Sequence, residues 1–432
     1  MIDRDRFQFI AHALNGTGGF QPKSTSDSFL LKYPRESQEK FARRNEHPLF
    51  LLDLLMACDR FAGYLSINPP ARVFSQSALK DVANDMDGQG NDQDVFWTNF
   101  TIQAKARGIM FVLVDMDKED DSERRTFPYC QLIMPEHVTR CVLGSDGRID
   151  LIRFEATKLI EDEDKEVEWE FTREDWKLLD EDRLVIEQGQ HTLGVCPVLA
   201  FSESGQFPKE GAFAQIADLS YDLFNRQSEK LEIFRSVTFP FLSYHIPTEM
   251  TGNTDTITNA AKELGVSNML IHYGSPPQYI APPNAPLESY EREIDYLRRR
   301  IDEVGLKVEG SQSQESGVAL QMRFQALNSS LSKWAERVED FEKQVWEMIK
   351  LWLGISNDTD PEIRWERSFV LADVAVEMSI LQQMQASAMP DTIIQEQMKR
   401  IVSVQFGGLD QERLDEILSQ IDEEKHDRDP DG

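Results

Sequence analysis

Cysteine is scarce and scattered. Cys58, Cys130, Cys141 and Cys196 form no C-x-x-C pair, which excludes a dense disulfide framework and argues against a zinc site built on close ligand pairs. Cys58 (LLMACDRF) and Cys196 (GVCPVLAF) stand in apolar stretches and read as small core residues. The seven histidines, His12, His47, His137, His191, His245, His272 and His426, are far apart and show no ligand spacing. No apolar run reaches the roughly 18 residues of a membrane span. The opening MIDRDRFQFIAHALNG carries charge where a secretory signal needs an apolar stretch, so the expected compartment is a cytoplasm. Positive charge is the minority sign: 46 Lys and Arg stand against 76 Asp and Glu, a net charge of −30. That argues against a sequence-reading nucleic-acid binder, which needs a basic face, and against an anionic-membrane binder.

Signatures of chemistry are also missing. There is no G-x-x-x-x-G-K-[ST], no G-x-G-x-x-G after a strand, no G-x-S-x-G and no H-E-x-x-H. The segment DMDGQGNDQDVF (85–96) opens like a calcium loop, with Asp85, Asp87 and a glycine at Gly90. Phe96 stands where the bidentate Glu belongs, so a surface turn capping the next helix is the stronger reading. Carboxylates are so abundant that a general acid–base pair has no particular candidate. No catalytic residue, cofactor or metal is expected.

What is present is a chain of 432 residues, enough for two or three domains and a large core, with an α+β pattern. Residues 1–29, rich in Gly, Ser, Thr and Asn, read as a flexible arm. Residues 34–65 read as helix, started at Pro34 and divided at Pro48. A helix over 92–107 ends at Gly108, and IMFVLVD (109–115) follows as a strand. YCQLIM (129–134), VTRCVL (138–143) and RIDLIRFE (148–155) continue the β pattern, with GSDG (144–147) as a hairpin turn. In EVEWEF (166–171), acids alternate with Val167, Trp169 and Phe171, which predicts one buried face and one wet acidic face. RLVIEQ (183–188) and VCPVLAF (195–201) complete a mainly antiparallel region.

From Ala212 the chain turns helical up to Pro240, passes through short strands and turns over 241–286, and returns to helix over 287–306. That second helix carries Arg292, Arg298, Arg299 and Arg300 among acids, as a solvated face with i,i+4 pairs or as a contact with a neighbouring copy. The small polar strip GSQSQES follows (Gly310, Ser311, Gln312, Ser313, Gln314, Glu315, Ser316), and then the longest helix. There Leu320, Phe324, Leu327, Leu331, Trp334, Val338 and Phe341 recur at spacings of three and four. This heptad seam predicts either core within one subunit or a surface shared between subunits. Roughly 35 helical residues span about 50 Å, enough to cross a domain. Helices over 370–385, 391–404 and 412–421 and an acidic tail complete the chain.

This order of parts resembles the portal proteins of tailed bacteriophages. The likeness runs through YPRESQEKFARRNEHPLFLLDLLMACDRFAGYL, RGIMFVLVD, LGVCPVLAF and AFAQIADLSYDLFNRQSEKLEIFRSVTFPFL. It is strongest in ESGVALQMRFQALNSSLSKWAERVEDFEKQVW, where Ser316, Gly317, Ala319, Leu320, Arg323 and Phe324 match the Ser-Gly-x-Ala-Leu start of the portal helix. It covers roughly residues 30–405. The resemblance implies a portal-like protomer with a mixed α/β wing (30–210), a first stem helix (211–239) and a clip (240–286). A second stem helix (287–307), a tunnel loop facing DNA (308–316) and a long spine helix with the helix after it (317–390) follow. The last parts are short crown-like helices (391–421) and a disordered acidic tail (422–432). It further implies a homo-oligomeric ring, typically of about twelve copies, at one capsid vertex of a virion assembled in the host cytoplasm. Its partners would be the major capsid protein, the large subunit of the packaging motor (terminase), head-completion or adaptor proteins, and double-stranded DNA passing through non-specifically, with no membrane. A non-channel virion scaffold or adaptor, and an acidic hydrolase with a carboxylate site, are the competing readings.

Overall fold

A computed structural model describes residues 2–34, 36–67, 69–117, 127–160, 163–238, 241–245, 269–272, 278–280, 285–307, 317–355, 360–367, 381–385 and 390–406, with a few single positions between 369 and 419. The architecture is α+β. Residues 1–367 and 368–432 form two compact units. Of the second, the longest described element is a helix over Asp391–Phe406, close to its expected bounds. The expected helix over 412–421, most of that over 370–385, and the tail lie outside the described residues.

The expected flexible arm is instead an ordered helix, α1 (Arg4–Asn15), started by Asp3 and closed by Gly16 in the left-handed region. Phe7, Ile10, Ala11 and Leu14 recur at i, i+3, i+4 and i+7 and are buried. The polar composition of the surrounding residues hides that stripe. Beyond it Phe20, which is fully buried, stacks on Phe50 at 3.8 Å and meets Phe224 edge-on at 5.4 Å.

Helices α2 (Gln38–Glu46) and α3 (Asp53–Ser66) divide around Pro48 as expected, but the first starts beyond Pro34, with Ser37 capping it. A short strand β1 (Ala71–Val73) and helix α4 (Ser77–Asn84) follow, neither of them foreseen. In the calcium-like segment the acids serve the turn. Asp85 accepts from the Gly90 amide at 2.7 Å, Asp87 from the Gln89 amide at 2.8 Å, and Asp92 caps α5 (Gln93–Arg107). At the end of α5, Gly108 has φ +83°, and a Cβ there would come within 1.9 Å of the Gly211 nitrogen. Only glycine allows the two backbones to approach that closely.

Strands β2 (Ile109–Asp115), β3 (Tyr129–Ile133) and β9 (Val198–Ser202) form one antiparallel sheet in the order β3-β2-β9. A five-stranded meander runs β4 (Val138–Leu143), β5 (Ile149–Ile160), β6 (Glu163–Thr172), β7 (Asp175–Leu179) and β8 (Val185–Gln190). Phe111, Leu113, Ile152, Phe154, Phe171 and Val198 form one core cluster contributed by both sheets. Strand β7 was not foreseen. The expected wet acidic face of β6 also needs correction, because Glu168 and Glu170 are buried. Arg153 and Lys177, cross-strand neighbours of Glu170, fold over its carboxylate, while Thr139 and Arg183 reach Glu168. Burial pushes the Glu170 pKa up, but the two cations outweigh it and the carboxyl stays below its usual range.

Helix α6 (Ala214–Thr238) leads to a small sheet with β10 (Phe241–His245) between β11 (Met269–His272) and β12 (Gln278–Ile280), and then to α7 (Ala285–Val304). The long helix is α8 (Gly317–Leu353), followed by β13 (Glu362–Arg364), which pairs antiparallel with β1. Glu342 on α8 has no solvent exposure. It accepts from Arg72 Nε at 2.6 Å and from the Trp365 indole at 2.7 Å, tying the rod to the β1–β13 ribbon. Glu342→Gln removes the buried carboxylate of this contact and leaves Asp94 as the charged partner of Arg72. We expect it to lower stability by about 1.5–3 kcal/mol, measured as a drop in the urea midpoint at unchanged slope.

Candidate functional site

Helices α6 and α7 form an antiparallel hairpin. Lys230 pairs with Glu291 at 3.0 Å near one end, and at the other a Cβ on Gly305 would touch Ile216 at 3.7 Å. The inner face of α7 is Ile294, Leu297 and Ile301; that of α6 includes Leu223 and Phe224. Asn225 fastens the hairpin to the N-terminal region, accepting from the Leu31 amide at 2.8 Å and donating to the Phe29 carbonyl at 3.2 Å. The outer face keeps large apolar groups in water: Phe234 is 53% exposed and Tyr296 51%. Leu231 is exposed beside them in sequence.

Three of the four arginines of α7 make local contacts. Arg300 pairs with Glu303 at 2.5 Å, Arg299 donates to the Asp295 carbonyl at 3.2 Å, and Arg292 reaches the Ser289 hydroxyl at 3.5 Å. Arg298 is the charge nearest in effect to Asp53, at the start of α3. Arg292, Arg298 and Arg299 are exposed. Among the described residues, Arg292 and Arg299 bond to neutral oxygens rather than to a carboxylate.

The seam of α8 is packed within the chain. Leu327, Leu331, Trp334, Val338 and Phe341 are buried. Trp334 meets Phe61 of α3 and Phe201 of β9, and Phe341 stacks on Phe100 of α5 at 5.4 Å. The side chains of Leu320 and Phe324 lie outside the described residues, as does the strip Gly310, Ser311, Gln312, Ser313, Gln314, Glu315 and Ser316.

At the root of this packing sits Lys105, 3% exposed. Its ammonium pairs with Glu203 and lies 4.3 Å from the Phe61 ring, 4.7 Å from Phe213 and 4.9 Å from Trp334. A cation enclosed by three ring faces and a carboxylate is bound by charge and quadrupole together. Sequence patterning gives no sign of this site, because its members come from α3, α5 and α8 and from the residues just after β9 and just before α6.

Two concavities flank these elements. One of about 240 Å³ is lined by Arg72, Asp94, Trp97, Thr101 and Trp365; its carboxylate, Asp94, is taken up by Arg72. The other, of about 310 Å³, lies between the end of α2 and α6, with Arg43, Arg44, His47 and Arg235 on its walls. His245 and His272 are register partners on β10 and β11. Among the described residues no group of three or more His, Cys, Asp or Glu is placed to hold a metal ion, and no helix is long and apolar enough to cross a membrane.

No protein-family model matches the chain, and no curated protein matches it in sequence. Solved structures do. The chain is similar to a component of the virion of a native gene transfer agent (GTA) particle, with a TM-score of 0.47 and 10% identity over 89% of this chain and 96% of that one. It is also similar to a chain in the neck of the empty GTA particle computed with C6 symmetry, at a TM-score of 0.43 and 10% identity over 78% and 84%. A chain in the neck of the native GTA particle computed with C12 symmetry matches at 0.42 and 9% over 78% and 85%.

Asp53 gives the hairpin a measurable pH response. Burial raises its carboxyl to about 6, Arg298 opposes the shift and Asp302 adds to it. A raised acid pKa means the folded state holds the proton more tightly than the unfolded chain. Stability therefore falls as pH rises from about 4 to about 6, and levels off above. Asp53→Asn should stabilise the fold at pH 7.5 by about 1 kcal/mol after screening, seen as a higher melting temperature, and give no gain at pH 4.

Proposed function

We propose that the chain is a portal-type subunit, a structural ring component through which double-stranded DNA passes into and out of a capsid. The observation that carries this reading is the antiparallel α6–α7 hairpin. It is rooted in a wing of helices and two sheets, interrupted by the small β10–β11–β12 sheet, and followed by the 37-residue rod α8. Their order along the chain is that of the stem, clip and spine that the sequence resemblance implies, which supports the reading. The exposed Leu231 and Tyr296 on the hairpin favour a protein neighbour over a solvated end state. Burial of Leu327, Leu331, Trp334, Val338 and Phe341 within the subunit favours the hairpin over this part of α8 as the surface for ring contacts.

In this reading the chain performs no catalysis. Its work is mechanical: a polar strip without Lys or Arg meets the duplex while a rigid rod holds it. Phosphates gripped by fixed cations resist sliding, because each contact adds affinity. The acidic balance of the chain keeps that grip low. The clip would dock the packaging motor and later the head-completion proteins, and the wing would meet the capsid.

Lysines at two strip positions test the channel directly. Gln312→Lys with Gln314→Lys should slow packaging in an in vitro assay, with partial recovery at higher salt as phosphate contacts are screened. Unchanged packaging and unchanged DNA retention would show that the strip does not face the duplex.

A further inference from the structure

The joint between the start of α3 and the end of α7 is strained. Gly305 closes α7 with its backbone against α3: a Cβ there would lie 3.2 Å from the Ala57 Cβ, so packing requires the glycine. The residue after it, Leu306, takes the left-handed conformation at φ +53°, where glycine is favoured and a leucine is strained. Two bonds hold the reversal. The Leu306 amide donates to the Glu303 carbonyl at 3.2 Å, and the Lys307 amide to the Asp302 carbonyl at 2.9 Å. Lys307 also pairs with the Asp302 carboxylate at 3.6 Å.

Asp53 stands one turn before Ala57 on α3 and so lies on the same face of that helix. Its Oδ2 is buried with no hydrogen-bond partner. A helix N-terminus favours a carboxylate, and Arg298 of α7 favours it too, but burial dominates and Asp302 of α7 adds a like charge. A buried carboxylate oxygen without a donor is costly when the group is ionised, and far less so when it carries a proton. Charged groups on other elements packed against α3 are engaged elsewhere: His12 of α1 with Gln8 and Thr17, Lys105 and Arg107 of α5 with Glu203 and Glu136, and Asp218 of α6 with Arg6. Helix α8 meets α3 at Phe61, about two turns further along.

We infer that this joint is a protonation-operated latch: protonated Asp53 keeps the last turn of α7, Asp302 to Lys307, seated on α3, and ionised Asp53 lets that turn open at Leu306. Seated, the turn bears both the strain at Leu306 and the nearness of Asp302 to Asp53; open, it is relieved of both. The sign follows from the burial of Asp53. The seated state raises its carboxyl to about 6, and an opened, hydrated carboxyl returns to about 4. Seating is therefore fully favoured below about pH 4 and weakens as the pH rises to about 6. Lys307 leads directly into residues 308–316, so in a portal-type subunit the latch sets how stiffly that strip is attached. The latch belongs to the single chain and does not require a ring.

Hydrogen exchange of the full chain tests it, read by mass spectrometry at about pH 5 and about pH 7.5 and corrected for the intrinsic exchange rate at each. Protection of the Gly305, Leu306 and Lys307 amides should fall by about three- to tenfold between the two conditions, with Ile294 to Ile301 unchanged. Asp53→Asn, neutral in both conditions, should hold the acid level of protection throughout. Melting temperatures confirm that both proteins are folded. Equal protection in the two conditions in the wild type, or the same loss in Asp53→Asn as in the wild type, would overturn the latch. A loss that extends along the whole of α7 would overturn it too, because that is release of the helix rather than of its last turn. These results do not depend on whether copies of the chain form rings, so failure of the latch leaves the portal-type reading standing.

Discussion

The enclosure of Lys105 is the interaction on which the rest of the molecule depends. Its ammonium is drawn into the protein by Glu203 and the faces of Phe61, Phe213 and Trp334. Those groups belong to five separate parts of the chain, so one cation fixes the meeting point of α3, α5, β9, α6 and α8. A buried lysine that lost its partners would leave an uncompensated charge in the interior. The assembled arrangement is therefore strongly preferred over partial ones. Close by, Gly108 and Gly211 bring the end of α5 and the approach to α6 into backbone contact, with the Gly211 amide donating to the Arg107 carbonyl at 3.0 Å.

From that meeting point two long elements take different roles. The rod α8 spends its apolar face within the subunit, on Phe61, Phe100 and Phe201, and its buried Glu342 on the β1–β13 ribbon. The hairpin of α6 and α7 spends only part of its apolar surface and leaves Leu231, Phe234 and Tyr296 in water. Asn225 holds it to the Phe29–Leu31 segment with both ends of its amide. The middle of the rod is satisfied inside the subunit, whereas the firmly rooted hairpin keeps part of its apolar surface exposed.

How much of this was legible depended on whether the signal was local. The seam of α8 repeats over many turns, and Asp92 and Gly108 mark the ends of α5 with short-range chemistry, so these elements are readable from pattern. Helix α1 was obscured because its stripe of Phe7, Ile10, Ala11 and Leu14 lies in a stretch whose composition suggests a linker. The alternation in β6 gave the strand correctly but misjudged its acidic face, since the groups covering Glu168 and Glu170 come from other strands. The buried setting of Arg44 was invisible for the same reason: its partners stand at residues 31, 36 and 228. Strands β1 and β13 are three residues each and pair across almost the whole first unit, leaving no periodicity to detect.

The central claim is that copies of this chain surround a pore with the α6–α7 hairpins along its wall. The most direct measurement is electron microscopy of assembled particles containing the chain, averaged without imposed symmetry and resolved well enough to trace helices. The account predicts a closed ring at a single vertex, with a central opening wide enough for a B-form duplex, the paired helices beside it and the 308–316 strip at its narrowest level. A closed assembly without a pore, or a ring in which residues 308–316 are sealed inside the subunit away from the opening, would contradict it.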